Sequence, residues 1–543
     1  MDLARARLYA HTLVHLRPEQ VLGRLWRAVH SPKPDRSPAP ARRPAQSWCP
    51  GARREPSWLA PDRHRYLGEE RKVSTASSWS DPQASHLWLY NLHYFDDLCA
   101  SGAPARLDWH RAVIQRWIEE NPAGEGPGWE PYPLSLRLVN WVRWSLAGNE
   151  LPGPALHSLA VQARYLRDSL EHHLLGNHLL ANAKALVFAG CFFDGPEAEA
   201  WLRTGLSILD RELEEQVLPD GGHFERSPMY HSLILEDLLD LLNLSRTFPE
   251  TLGGDAAGRI EDWRRIAMRM RRWLVRMCHP DGQLALFNDC AHDIAPPPDE
   301  LERYARRLGL GPIPLPSPGL EVLGESGFVR LESEEAVAFL DVGELGPSYL
   351  PGHAHADTLS FELSVAGSRV VVNGGTSLYA EGPERLRQRG TAAHSTVQVD
   401  GLDSSEVWAS FRVARRAHPL DLLVEETGGE LRVRCSHDGY RRLPGHVLHT
   451  RGWTLSTGTL LVHDQLSGRF EHAEARLHLH PAVLTPDPGH LVLPCGRALG
   501  VVATGASARL QPSTWHPRFG ASLPSTQLSM PLSGSTLTTC LRW

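Results

Sequence analysis

The chain reads as an α+β multidomain protein, a helical part followed by an antiparallel β part, and three observations support this. At 543 residues it exceeds what one hydrophobic core normally supports. From about Leu87 to Leu310 apolar residues recur at three- and four-residue spacing, the period of helices that bury one face. Beyond the Pro-rich stretch 312–320 the period falls to two, and Gly, Asp, Asn and Ser punctuate short runs rich in Val, Leu and Thr. Runs of helices followed by runs of strands predict separate layers and not βαβ units.

Residues 1–63 predict an N-terminal helix and a Pro/Arg-rich connector, because 31–63 carries Pro, Ser and Arg without periodicity. Residues 64–315 predict a helical domain. Its segments LSLRLVNWVRWSL, HSLAVQARYLRDSLEHHLL, NHLLANAKALVFAG, LRTGLSILDRELEEQVL, YHSLILEDLLDLLNLS and WRRIAMRMRRWLVRMC each gather apolar residues along one face. The 17 Trp of the chain suggest aromatic-lined grooves suited to stacking on sugar faces. Residues 316–543 predict an antiparallel sheet or sandwich, through runs such as GFVRLES, AVAFLDVG, LSFELSVAGSRVVVNGG, HSTVQVDG, LRVRCSHDG and HVLHTRGWTLSTGTLLVHDQLSG.

Composition excludes several classes. A formal charge of −7 argues against generic nucleic-acid binding, so a polyanionic ligand has to meet a local Arg-lined cleft. Arg supplies almost all the positive charge, since only Lys33, Lys72 and Lys184 are lysines, and its planar fork suits carboxylate or sulfate. The 8 Cys show no close pairing that would mark a disulfide framework or a cysteine metal site. Charged residues interrupt every apolar run of the first 26 residues, and no stretch reaches the roughly 20 apolar residues of a membrane span. The expectation is a cytoplasmic protein without a membrane partner, with periplasmic or secreted action as the alternative; oligomeric state is not indicated.

Reactive side chains concentrate at segment ends. In GHAHADTLSFEL an alternating strand would put His353, His355 and Asp357 on one face. Tyr379 closes NGGTSLY and His394 opens HSTVQVDG. In the helical part Asn177 and His178 interrupt an apolar helix start, and Glu225, Arg226, Tyr230 and His231 stand at a helix entrance. Singly, Asn177 reads as a cap, Tyr230 as a core aromatic and the paired His as sheet-edge residues. Arg137, among the aromatics of 129–144, reads as part of a sugar groove or as helix packing. Asn288, Asp289 and Asp293 read as a turn or Asx motif at least as readily as a catalytic group.

NHLLANAKAL, FERSPMYHSLILEDLLDL, PDGQLALFNDCAHD, GHAHADTLSFEL, NGGTSLY and RGTAAHSTVQVDG, in this order, resemble the heparinase II/III superfamily of polysaccharide lyases, clearly so over about 85–410. The resemblance implies an incomplete (α/α) toroid followed by an antiparallel β-sandwich. It implies β-elimination on an acidic polysaccharide, with a glycosaminoglycan such as hyaluronan, chondroitin or heparan sulfate ahead of alginate or a bacterial exopolysaccharide. A glycoside hydrolase using Glu225 and Asp289, and a non-catalytic accessory protein of exopolysaccharide assembly, are the competing readings. Carried over by motif, Asn177 and His353 neutralise the uronate carboxylate, Tyr230 protonates the leaving oxygen, and either His178 or Tyr379 is the base. Glu225, Arg226, His231, Arg385 and Arg389, with Arg137, are then candidate substrate-binding residues, and Arg226, Arg385 or Arg389 would lower the phenol of a Tyr base. The resemblance also implies a divalent metal, zinc or manganese, at His355, Asn373 and His394. Asn373 stands where a carboxylate is expected, with Asp357 as its substitute.

Overall fold

The computed structural model describes residues 3–252 and 257–543. Helices come first: α1 Leu3–Leu13, α2 Pro18–Val29, α3 His86–Tyr94, α4 Leu107–Glu120, α5 Pro131–Leu146, α6 Gly153–Asp168, α7 Gly176–Phe192, α8 Pro196–Gln216, α9 Pro228–Thr247, α10 Pro249–Leu252, α11 Ala257–Arg276 and α12 Pro298–Arg307. Pro stands at the first turn of α2, α5, α8, α9 and α12, where its missing N–H has no intrahelical partner to lose. Their apolar faces meet in one core that the aromatics dominate. Trp141 meets Phe95 and Trp117 edge-on at 5.5 and 5.7 Å, and Trp79, Trp88, Trp144 and Trp201 are equally sealed. Much of the Trp content therefore builds the helical core and does not line an open groove.

The expected N-terminal helix is two, broken before Pro18. The pair straps both parts of the chain: Thr12 Oγ accepts from Trp408 Nε1 at 3.1 Å, while Gln20 Nε2 donates to the carbonyl of Tyr349 and Arg17 pairs with Glu215 on α8. The connector that follows runs extended across helix ends, with Arg43 N donating to Phe192 O and Asn243 Nδ2 donating to Cys49 O. A small antiparallel sheet, β1 Trp58–Ala60, β2 Arg63–Tyr66 and β3 Glu69–Lys72, lies across the expected boundary at 63/64 and was not foreseen.

The strands of the second part build two large antiparallel sheets. One is ordered β20 (Arg509–Trp515), β21 (Leu523–Pro531), β16 (Ala473–Leu479), β8 (Ser368–Val371), β7 (Phe361–Val365), β6 (Ala336–Asp341), β5 (Phe328–Glu332), β4 (Gly319–Leu323), with β9 (Val397–Val399) on β16. The other is ordered β12 (Pro419–Thr427), β13 (Glu430–His437), β14 (Leu448–Ser456), β15 (Thr459–Ser467), β22 (Thr536–Arg542), β19 (Ala498–Thr504), β18 (His490–Val492), β17 (Leu484–Asp487). Alternate residues of both, such as Leu331, Leu363 and Val371 of the first and Val433, Trp453 and Leu541 of the second, fill a shared core. A two-stranded ribbon, β10 (Val407–Trp408) with β11 (Arg412–Val413), and helix α13 (Pro383–Arg389) stand outside these sheets. A separate cluster joins the two parts: Trp273 of α11, Met277 just past its end and Phe287 pack on Phe328, Val337 and Phe339.

Candidate active site

The site is built from the starts of α7 and α9, the segment 288–289, the loop before β7, and Tyr379 with α13. At the first turn of α7, Gly176 has φ +58°, and a Cβ there would stand 2.3 Å from Leu350 Cδ2 and 3.0 Å from Glu225 Oε1, so only glycine fits. Next to it Asn177 Nδ2 donates to both oxygens of Glu225, at 3.3 and 3.2 Å. Burial raises the Glu225 carboxyl above its ordinary value. His178 lies against Tyr132, ring centroids 4.4 Å apart, with Nδ1 3.1 Å from Glu171 Oε1. Burial opposes its proton, but the Glu171 carboxylate outweighs burial and raises the imidazole.

Ser227 caps α9, accepting from Tyr230 N at 3.4 Å and donating to the Asp289 carbonyl at 2.7 Å. The cap places Tyr230 with its ring stacked on His353, centroids 4.0 Å apart, and its hydroxyl 3.1 Å from the Tyr379 hydroxyl. Burial lifts both phenols well above the ordinary tyrosine value. Arg385 stands 4.9 Å from the Tyr379 ring and works against that rise without reversing it, so the expected lowering of a tyrosine base is not found.

His353, His355 and Asp357 do not share a strand face, since residues 351–360 form an irregular loop and β7 begins at Phe361. Two of the three converge nevertheless, through Asp289. His353 Nδ1 lies 3.0 Å from Asp289 Oδ2 and His355 Nε2 lies 2.9 Å from Asp289 Oδ1. Arg385 grips both oxygens of the same carboxylate, and Thr376 Oγ donates to it at 3.2 Å. Burial alone would raise this carboxyl; Arg385 and the two imidazoles outweigh burial and hold it well below the carboxylate range. In the sequence Asp289 reads as a turn residue. Its partners lie 64 to 96 residues away, so no local pattern marks it. His353 Nε2 points toward Glu225, 3.7 Å from Oε2, which closes a chain from Asn177 through Glu225 and His353 to Asp289. Asp357 is buried away from this chain, its carboxyl pushed up to about 6 by burial.

Several expected substrate ligands have internal partners instead. Arg137 is sealed, with Nε on Gln162, Nη1 on the His93 carbonyl and its guanidinium 3.8 Å from the Trp117 ring centroid. Arg226 donates to the carbonyls of Glu344 and Glu325, and His231 bonds the Met270 carbonyl beneath Trp273. Arg389 donates to the carbonyls of Ala354, Ala409 and Ser410, bracing the loop that carries His353 and His355. Burial and the neighbouring Arg385 bring its guanidinium down to about 9. Arg385, likewise, is committed to Asp289. Of the predicted substrate ligands, Glu225 and Arg385 lie among the reactive groups, Arg385 through its grip on Asp289.

The expected metal ligands do lie together. His355 Nδ1 and His394 Nε2 are 3.3 Å apart, and Asn373 Oδ1 is 3.3 Å from His394 Nδ1. The amide thus faces the far nitrogen of His394, and the donor set reduces to two imidazoles that hydrogen-bond each other. Among the described residues no group of three or more His, Cys, Asp or Glu is placed to hold a metal ion. A divalent cation wants a third, preferably charged, ligand, so these residues do not fit one. Burial holds His355 at about 4 and depresses His394 further, which keeps the pair neutral.

Comparison with known proteins agrees in fold and family. The model "Heparinase II/III N-terminus" matches residues 153–296, and "Heparinase II/III-like, C-terminal" matches 315–543. A heparin-sulfate lyase of Bacteroides stercoris is 27% identical over 375 residues, covering 59% of this chain and 54% of that protein. FtsZ-localized protein C of Caulobacter vibrioides is 26% identical over 446 residues, covering 73% and 70%. The chain spans about half the length of the heparin-sulfate lyases of Bacteroides stercoris and Pedobacter heparinus that it matches. The crystal structure of a heparinase III superposes with a TM-score of 0.67 at 18% identity, over 88% of this chain and 79% of that one.

Proposed function

We propose, from the premise that the chain belongs to the heparinase II/III-like family, that it is a polysaccharide lyase cleaving a uronate-containing acidic polysaccharide by β-elimination. A glycosaminoglycan such as hyaluronan, chondroitin or heparan sulfate is the favoured substrate, ahead of alginate or an exopolysaccharide. The architecture that goes with this reading is an incomplete (α/α) toroid over 64–315 and a β-sandwich over 316–543, after the N-terminal segment 1–63. It is supported by the order of elements, by the core shared between the two sheets and by the likeness to heparinase III.

The observation that carries the reading is the meeting of Asn177, Glu225, His353 and the Tyr230–Tyr379 pair in one patch, joined by hydrogen bonds at its two ends and by a 3.7 Å approach and ring stacking at His353. Elimination requires the uronate carboxylate to be neutralised, its C5 proton removed and the leaving O4 protonated. Asn177 and His353 are the donors for the carboxylate, and they stabilise enolate charge as it develops. Glu225, its carboxyl raised by burial, repels an incoming carboxylate less than an ordinary glutamate would. Tyr230 keeps its proton at neutral pH, as an acid must, and Tyr379 is the group from which it is replenished. His178, with Nδ1 held by Glu171, has Nε2 to take the C5 proton. Tyr379 as base would have to ionise against the burial that raises it. No step passes through a metal.

A glycosidase reading lacks its second carboxylate, because Asp289 is sealed and gripped by Arg385. FtsZ-localized protein C is a relative not named as a lyase, and an accessory protein that keeps the fold is the second reading. Incubation with a panel of uronate polymers, followed by ultraviolet absorbance of the unsaturated product, separates the two. A rise on any polymer that vanishes in Tyr230→Phe supports the lyase; no rise on any supports the accessory protein.

A further inference from the structure

A cavity of about 440 Å³ opens between the end of α1 and the β part, lined by His11, His15, Arg416, His418, Arg441 and Arg442, with Ala414, Arg415, Asp438 and Gly439 completing the wall. Its volume falls in the range of roughly 300–1,000 Å³ that small organic ligands occupy, well above that of a bare ion. The lining is strongly cationic, and the cations differ in how they are satisfied. Arg415 is spent on Glu406, which it meets through two nitrogens. Arg442 is spent on the carbonyls of Asp403, Ser404 and Gly439, and His418 pairs with Glu344 at 2.9 Å. Arg416 and Arg441 make no ion pair and donate no side-chain hydrogen bond among the described residues, and Arg416 Nε is buried without an acceptor. Asp438, the one acid of the lining, already accepts from the His418 backbone N–H at 2.8 Å.

Arg416 is half-buried with its Nε sealed and unpartnered, and a buried donor without an acceptor is costly unless an anion arrives. Burial brings Arg416 down to about 10. Burial, then the charges of Arg416, His418 and His11, also depress His15. The cavity therefore holds more positive charge than its nearby acids, Asp438 in the wall and Glu344 beside Arg416 and His418, offset.

We propose that this cavity binds a sugar bearing a tetrahedral oxyanion ester, a sulfate or a phosphate, gripped by Arg416 and Arg441 with His11 of α1 and His15 of the turn after it lining the other side. The planar fork of arginine suits such an ester, and the cavity has room for the ring that carries it. The site is separate from the proposed elimination chemistry, and its only tie to that reading is the expectation that a sulfated ligand comes from the same polymer.

The test is calorimetric titration of the full chain with glucose sulfate, glucose phosphate and unsubstituted glucose. Wild type should bind at least one ester and not glucose, and Arg416→Gln/Arg441→Gln should weaken that binding by on the order of tenfold or more. Arg497→Gln, whose side chain pairs with Glu335 elsewhere, should leave it unchanged. The tighter ester identifies the source. Equal affinity in the double variant and wild type, binding of glucose as tight as of its esters, or binding of neither ester overturns the proposal. Should Arg416→Gln not fold, the exposed Arg441→Gln alone carries the comparison. Elimination measured in parallel keeps the two readings apart, since a protein that binds the ester and cleaves no polymer sinks only the lyase, and the converse sinks only the cavity.

Discussion

Asp289→Asn keeps the size of a fully buried carboxylate and removes its charge. That charge is met through both oxygens by Arg385, itself without exposed surface, and by His353 and His355. Removing one member of a buried, hydrogen-bonded pair costs about 3–5 kcal/mol, because the other is left charged in a poorly polarisable interior. The upper half of that range is expected, since one of the two imidazoles also loses an anionic acceptor. Its pH dependence follows from the depressed carboxyl. The stabilisation is complete above the unfolded value of about 3.9 and is lost as pH falls through the folded value, so wild type and variant converge in acid. Urea denaturation followed by circular dichroism, near neutrality and again in acid, measures both effects. Asp289→Asn/Arg385→Met, which removes both charges, should recover much of the loss. A single-variant loss below about 1 kcal/mol, or a double variant no more stable than the single, refutes the assignment of Asp289 as the hub of the site.

Four further outcomes are expected. Tyr230→Phe should lower the elimination rate by about 10²–10⁴ with its unfolding midpoint held, as measured by initial rates and denaturation; a near-normal rate would remove Tyr230 as the acid. Because Glu171 raises His178, Glu171→Gln should move the acid limb of the pH–rate profile to lower pH, and an unmoved limb would point away from His178 as base. His355 and His231, held neutral by burial at about 4 and about 3, contribute stability that is complete above the unfolded value near 6.5 and declines as pH falls toward those values. A thermal midpoint flat from neutrality down to about pH 4 would contradict this. Prolonged treatment with a strong chelator should change neither rate nor thermal midpoint; a drop in either would put a metal back at His355 and His394.

Much of this was legible because helices and strands announce themselves by period, and the change of period falls between Arg307, where α12 ends, and Gly319, where β4 begins. Asn177, Tyr230, His353 and Tyr379, which the structure brings together, stand out in the sequence because polar, chemically versatile side chains at apolar segment ends are conspicuous. Asp289 was not, because an aspartate in a turn-like run looks like any other, and what distinguishes it are partners that tertiary folding alone brings near. The same limit misdirected Arg137, Arg226, His231 and Arg389. A charged residue beside a site in sequence does not reveal whether its side chain turns toward the cleft or into the protein. The strand reading of 351–357 failed for a related reason: alternation of His, Ala and Asp mimics a half-buried strand, but the loop is held by Asn288, Asp289 and Arg389 and not by a neighbouring strand.

The segment 288–289 and the loop 353–355 are sewn together by main chain as well as side chain. Asp289 N donates to the His353 carbonyl and His355 N donates to Asn288 Oδ1, while Asn288 Nδ2 holds the Arg226 carbonyl and Ser227 holds that of Asp289. Evolution and the engineer face the same restriction there. A chimaera that joins the helical half of one relative to the β half of another at 308–318 cuts no strand or helix, yet it still breaks this stitching unless both segments are transplanted as a unit. What looks like a site shared between two halves is, for inheritance, one block.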